Sequence, residues 1–418
     1  MSAKIIKIII IMLVLLGIGG GVYYWYYFIQ NPTLNESGEI LDPFTFLPFN
    51  RTPAVTTPII QIPNTPLEQE PSNQTNEPLK LPKLRQLSST PVAGMSASTT
   101  ASSSLVRFMD RGTGHIYEAD DVSNEIKKLS NTTLPKIYEG YWNKNLTALV
   151  LRYLRDESDV VSNFYAELRL AATSTTNTAY EVKGKYLSPD ISQVTISPQG
   201  DKIFTWNIEN GRGMGYTSTF DEKNKVRVAD THLTQVVAEW PEANTVTLAT
   251  KASASAAGYF YSLDIRNGSL KKIVGGFRGL AGKLNKDASR ALFSSGGLNT
   301  IRTSYINTKD DVVQEILFKT LADKCVWSTL RKNEVYCAVP TEIAKGVYPD
   351  DWYKGTISFI DQIWHLDTTT GEVHLLANLL DLSNKLVDAT ELALDPKENF
   401  LYFINKRNLT LWSLDLNQ

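Results

Sequence analysis

Two short units recur from Val106 to the C-terminus, and their spacing narrows the available folds more than any other feature. The first is a turn followed by an apolar strand. Its copies are Trp142-Asn143-Lys144-Asn145, Ser197-Pro198-Gln199-Gly200-Asp201, Trp240-Pro241-Glu242-Ala243-Asn244, Leu284-Asn285-Lys286-Asp287, Trp327-Ser328-Thr329-Leu330 and Asp395-Pro396-Lys397-Glu398. Successive turns lie about 55, 43, 45, 45 and 65 residues apart. The second unit is an edge strand ending in Asp, at Asp120, Asp264, Asp367 and Asp415, with Asn267-Gly268 or Gly371 following two of them. Asp-to-Gly stretches of this kind make hairpins, because Asp accepts from its own backbone and Gly reaches positive φ. No long amphipathic helix interrupts the pattern.

A unit of this length holds four short strands, the scale of one propeller blade. The expected fold is all-β: a single β-propeller over residues 105–418. Six turns imply six blades, or seven if the two longer intervals hide extra strands. The segment 408–416 reads as a lone edge strand. Pairing it with the strand region 105–120 would close the ring. A pair of β-sandwiches is the structural alternative, and the regular spacing speaks against it. The two units together resemble TolB-type and WD-repeat-like propellers, whose repeat runs roughly Ser-Pro-Asp-Gly, apolar strand, aromatic-x-x-Asp strand. Only Ser197-Pro198-Gln199-Gly200 approaches that turn, with Gln in place of Asp. The resemblance implies a fold and brings no activity. Three further stretches, 111–118, 131–139 and 348–353, resemble membrane-anchored propeller proteins of candidate-phyla bacteria. That likeness implies location and fold only.

The N-terminal quarter has a different character. Residues 8–29 contain no charge and are rich in Ile, Leu, Val, Gly and aromatics, ending in Tyr23-Tyr24-Trp25-Tyr26-Tyr27-Phe28. Roughly 20 apolar residues span a bilayer, and Tyr and Trp favour its interface. A transmembrane helix over 8–29 is therefore expected, with the bilayer as its partner. The alternative is a cleaved signal peptide, for which Gly17 and Gly19 would mark the site. Lys4 and Lys7 precede the segment, and the next basic residue is Arg51. Positive residues stay inside, so residues 1–7 are expected in the cytoplasm and the propeller outside it. Residues 30–104 read as a disordered linker. Eleven of the 18 prolines fall there, and 96–104 is almost wholly Ser, Thr and Ala. Such a stretch buries too little apolar surface to offset its ordering entropy. Phe44, Phe46 and Phe49 form one apolar patch within it.

The chemistry-bearing residues are sparse. The net charge of −2 and the lack of basic runs argue against a nucleic-acid partner. Gly-x-Ser-x-Gly is absent, so no α/β-hydrolase nucleophile is expected. Four histidines and two cysteines are a sparse ligand set for zinc; His365 and His374 flank one hairpin, and no metal site or cofactor is expected. Asn210-Gly211-Arg212-Gly213-Met214-Gly215 precedes no helix and reads as a hairpin tip rather than a phosphate loop. No catalytic residue is assigned.

Two features remain. The 65-residue interval holds an insertion from Pro340 to about Asp361. Its Tyr348, Asp350, Asp351, Trp352 and Tyr353 form the candidate binding loop, since Trp and Tyr beside carboxylates suit a glycan or a partner chain. The alternative is a loop that plugs the blades by burying Trp352. Cys325 and Cys337 flank the turn near Arg331 at equal distance. In an antiparallel hairpin such residues face each other, which predicts a disulfide; two cysteines packed between blades are the alternative. The functional expectation is a binding or scaffold module at the cell envelope, with a protein or glycan partner. An envelope polysaccharide glycosidase or lyase, and a structural subunit of a pilus or secretion assembly, are the alternatives.

Overall fold

Side-chain caps explain why the two units recur. At four of the six turns, an oxygen at the start accepts the N–H at or just before the opening of the next strand: Asn143 from Thr147 at 2.8 Å, Asn285 from Arg290 at 3.0 Å, and Asp395 from Phe400 at 2.7 Å. Ser197 does the same for Asp201 and Lys202. Each Asp of the second unit caps the N–H two residues on, at 2.7–2.9 Å, for Asp120, Asp264, Asp367 and Asp415. Both devices spare the chain an unpaired backbone donor where a strand ends.

The computed structural model describes residues 81–155, 160–171 and 180–418. The strands in them form five separate four-stranded antiparallel sheets and one eight-stranded sheet. The eight-stranded sheet is two four-stranded arrays, residues 92–130 and 137–186, joined by one parallel bridge between Ser130 and Tyr180. The arrays at 191–231, 236–278, 281–315 and 325–378 follow in chain order. The last contains Ala389–Leu394, Phe400–Asn405 and Thr410–Asp415, and takes its fourth strand, Leu84–Gln86, from the other end of the chain. Within the other six arrays the strand order is the chain order. The first strand of the last array contacts the first strand of the first array, which closes the circuit. The fold is an all-β propeller with few helices.

Burial peaks at the second strands. Second strands lie between neighbouring arrays and are apolar on both faces: five residues are buried in each of Ile203–Glu209 and Phe400–Asn405. Fourth strands face solvent and carry Lys127, Lys128, Lys183, Lys185, Lys271 and Lys272. Lysines on an open strand edge oppose pairing with another chain. Trp327 pins one array to the previous one, donating its indole N–H to the Lys283 carbonyl at 3.1 Å.

Three sequence expectations change. The linker does not run to Ser104: Leu84–Gln86 and Val92–Thr99 are strands. Thr410–Asp415 is not a lone edge strand, because it lies between Leu84–Gln86 and Phe400–Asn405. The closing strand is therefore Leu84–Gln86, not part of 105–120. The six recognised turns each open the second strand of an array, and the first array has such a hairpin too. Its tip, Thr100 to Ser103, is closed by Thr100 accepting from the Ser103 N–H at 3.0 Å. Ser, Thr and Ala here lack the Asn, Asp and Gly of the other turns. The seventh array thus lay hidden in the apparent linker.

Cys325 and Cys337 are direct cross-strand partners and form a disulfide, with Cα atoms 4.1 Å apart. The expected membrane helix at 8–29 and the patch at Phe44 to Phe49 lie outside the described residues. Among the described residues no helix is long and apolar enough to cross a membrane.

Candidate functional site

The insertion between Glu334–Pro340 and Asp361–Asp367 folds inward. Tyr348 is fully buried, donates its hydroxyl to the Ala344 carbonyl at 2.8 Å, and stacks on Phe359. Asp350 accepts from the Ser253 hydroxyl and the Ala254 N–H, at 2.8 and 2.7 Å, which ties the insertion to another array. Asp351 accepts from the Val347 N–H at 2.7 Å. Trp352 is buried against Phe359 and donates its indole N–H to Asp388 at 3.0 Å. Tyr353, at 44%, is the most exposed of the five. The binding-loop assignment of Tyr348 and Trp352 is therefore corrected: their rings are spent on packing. Asp350 and Asp351 do not converge on an open cleft, because both carboxylates hold turns and loops in place.

Beneath Trp352 lies a wholly buried charge cluster of Lys324, Asp361 and Asp388. The Lys324 ammonium donates to Asp361 and to the Ala389 carbonyl, both at 2.8 Å, and to Asp388. It also sits 5.2 Å from the Trp352 and Phe359 ring centres. Lys406 approaches Trp352 from another side at 5.1 Å, and burial lowers its pKa. Asp388 further accepts the Phe359 N–H at 2.9 Å. Asp361 accepts the Ala389 N–H, while its other oxygen has no partner. Burial pushes the Asp361 carboxyl up to about 6; Lys324 opposes the shift and Asp388 adds to it.

That shift sets a pH dependence. A carboxyl raised on folding binds its proton more tightly in the native state than in the unfolded chain. Its contribution is fully present below the unfolded value near ~3.9 and is lost as pH rises through about 6. Acidification from pH 7.5 to 5 should stabilise wild type relative to Asp361→Asn. Thermal melts of both proteins at the two pH values check this; an equal response in the two would contradict it.

The first strands of the arrays surround a channel of about 370 Å³. Glu139, Glu239, Asp323 and Glu391 line it, with Lys283 as the cation among the lining residues. Glu139 pairs with Arg152 at 2.9 Å and accepts the Tyr141 hydroxyl. Glu239 pairs with Lys283 at 2.7 Å. Asp323 accepts the Tyr353 hydroxyl at 2.8 Å, so the insertion stands at the channel. Burial raises the Asp323 carboxyl, and Glu239 adds to the shift. Glu391 differs from the other three. It occupies a bulge in Ala389–Leu394 with φ of 51°, and its carboxylate makes no hydrogen bond among the described residues. A bulge re-aims a side chain and is frequent beside functional sites. Glu391 is exposed to the water of the channel; the surrounding walls and the nearby charge of Glu139 raise its carboxyl.

Sequence reasoning missed these acids. A signal exists for two of them: Glu139 and Glu391, like Gln193, stand four residues before the capping residue of a turn, Asn143, Asp395 and Ser197 respectively. His365 and His374 are cross-strand neighbours, and His365 contacts Glu334 at 2.8 Å. Among the described residues no group of three or more metal-binding side chains occurs. Asn210 and Gly211 make a hairpin tip, both at positive φ.

The chain is similar, at low identity, to several solved structures. TolB from Acinetobacter baumannii is 12% identical, covers 72% of this chain and 59% of its own, and gives a TM-score of 0.39. The β-propeller domain of the Trilobed protease from Pyrococcus furiosus is 10% identical, with coverages of 78% and 96% and a TM-score of 0.47. An acylaminoacyl peptidase from Pyrococcus horikoshii is 14% identical, with coverages of 64% and 42% and a TM-score of 0.42. The match thus spans less than two thirds of the TolB chain and under half of the peptidase. No family model matches the sequence, and no curated protein does.

Proposed function

We propose that this chain is a membrane-anchored, extracytoplasmic binding module of the cell envelope. In this reading the seven arrays are seven blades of one propeller, and a protein or glycan partner engages the acidic channel at the insertion. The observation that carries it is Glu391, a carboxylate turned into the channel by a bulge and left without a hydrogen bond. A group in that state gains most from a cationic or donor-rich partner. The apolar run at 8–29 and the preceding lysines support the anchor and its orientation.

Removing the charge tests this. Glu391→Gln should reduce partner recovery about tenfold in cross-linked pull-downs from native membranes, the loss expected for one charged hydrogen bond. Recovery equal to wild type would sink the reading. A subunit of a larger assembly would instead copurify its neighbours with or without the channel charge.

Glycoside hydrolysis is the second reading. It is favoured by Glu391 being held above the usual carboxylate range while Glu139 stands nearby. Two carboxyl groups facing one site, one of them raised, are an arrangement such chemistry uses. Reducing-sugar release from envelope polysaccharide, abolished by Glu391→Gln, would select it.

A further inference from the structure

The second array carries an apolar pocket that the channel does not use. Its volume is about 380 Å³, within the range of small-ligand sites. Leu134, Ile137, Leu151, Leu154 and Phe164 supply its walls. Lys136, Tyr153, Arg155 and Tyr186 are its polar lining residues, and the last three adjoin one another. The Tyr153 hydroxyl donates to the Tyr186 hydroxyl at 2.9 Å, which leaves the Tyr186 proton for an outside acceptor. The Arg155 guanidinium, also lining the pocket, lies 5.6 Å over the Tyr186 ring. Tyr186 is 59% exposed, so this donor pair meets whatever enters. Burial and the bond to Tyr186 push the Tyr153 phenol up to about 12, and it stays protonated at neutral pH.

We infer that this pocket binds an acyl chain ending in a carboxylate. Its head accepts from Tyr186 and pairs with Arg155, and its hydrocarbon fills the space beside Leu151 and Phe164. The argument is one of complementarity. A hydroxyl donor and a guanidinium at one side select an anion. The aliphatic and ring walls select a body without polar groups, since a peptide would bring amides that the wall side chains leave unpaired. A chain of about ten carbons suits a pocket of this size.

The test uses the full chain in lipid nanodiscs, irradiated with a diazirine analogue of decanoate and mapped by mass spectrometry. Adducts should fall on the residues around Ile137 and Leu151. Decanoate should compete about fifteenfold better than octanoate, roughly fourfold for each added methylene. Decanol and decyltrimethylammonium should compete at least tenfold more weakly than decanoate, because they lack the anion. Tyr186→Phe and Arg155→Gln should each lower labelling several-fold while leaving the melting temperature unchanged. The assignment is overturned by absent labelling, by decanol or the ammonium competing as well as decanoate, or by a leucine-ended peptide competing better. The competition series on the wild-type chain decides the matter even if a variant folds poorly.

Discussion

Trp352→Ala lowers the stability of the propeller by about 3–5 kcal/mol, the range for truncating a buried large aromatic. For a domain of this size that is a fall of about 4–7 °C in melting temperature. The side chain is only 3% exposed, stacks on Phe359, and carries the indole donor that Asp388 accepts. Removing it opens a cavity and exposes the Lys324 cluster to water. Trp352→Phe keeps most of the volume and loses the donor, so its cost should be smaller. Tyr353→Phe should cost about 1–2 kcal/mol, because Tyr353 is half-buried and gives up one bond, to the Asp323 carboxylate. Differential scanning fluorimetry on the three variants ranks them. A shift below about 1 kcal/mol for Trp352→Ala would mean that the insertion is not packed as described.

Lys324→Ala has an effect of similar size for a different reason. The ammonium is wholly buried and answers two buried carboxylates. Deleting it leaves Asp361 and Asp388 facing each other without their direct ion-pair partner, with Lys406 acting on Asp388 from farther off. Breaking a buried ion pair from one side costs about 3–5 kcal/mol. The loss should shrink when all three charges go together, as in Lys324→Met with Asp361→Asn and Asp388→Asn, since no charge is then stranded. Denaturant titration of the single and triple variants separates the two cases. A triple variant as unstable as Lys324→Ala would show that packing, not stranded charge, dominates.

The repeat units were legible because they depend on local chemistry. Asn143, Ser197, Asn285 and Asp395 each close a turn through their own side chains, so the residue types mark the place. The pairing of Cys325 with Cys337 was legible for the same reason: a tight hairpin fixes which residues face each other. The first array was not. Val92–Thr99 is built of small residues, and its hairpin at Thr100 to Ser103 uses a hydroxyl cap with no Asn, Asp or Gly. It takes its stability from neighbouring arrays, which local propensity does not register. The insertion was recognised by its aromatics, yet the direction of Trp352 depends on Asp388, 36 residues later in the chain. Ring closure alone brings Glu139, Glu239, Asp323 and Glu391 to one channel, so no local pattern announced them together.

The claim that a partner engages the channel face is tested most directly by position-specific photocrosslinking in living cells. One full-length chain carries a benzophenone amino acid at Tyr353, beside the channel acid Asp323; a second carries it at Leu270, exposed on the outer strand Ser269–Arg278. The account predicts a discrete adduct from position 353, diminished by Glu391→Gln, and none from position 270. An adduct from position 270 alone, or one from position 353 that ignores the loss of the Glu391 charge, would contradict it.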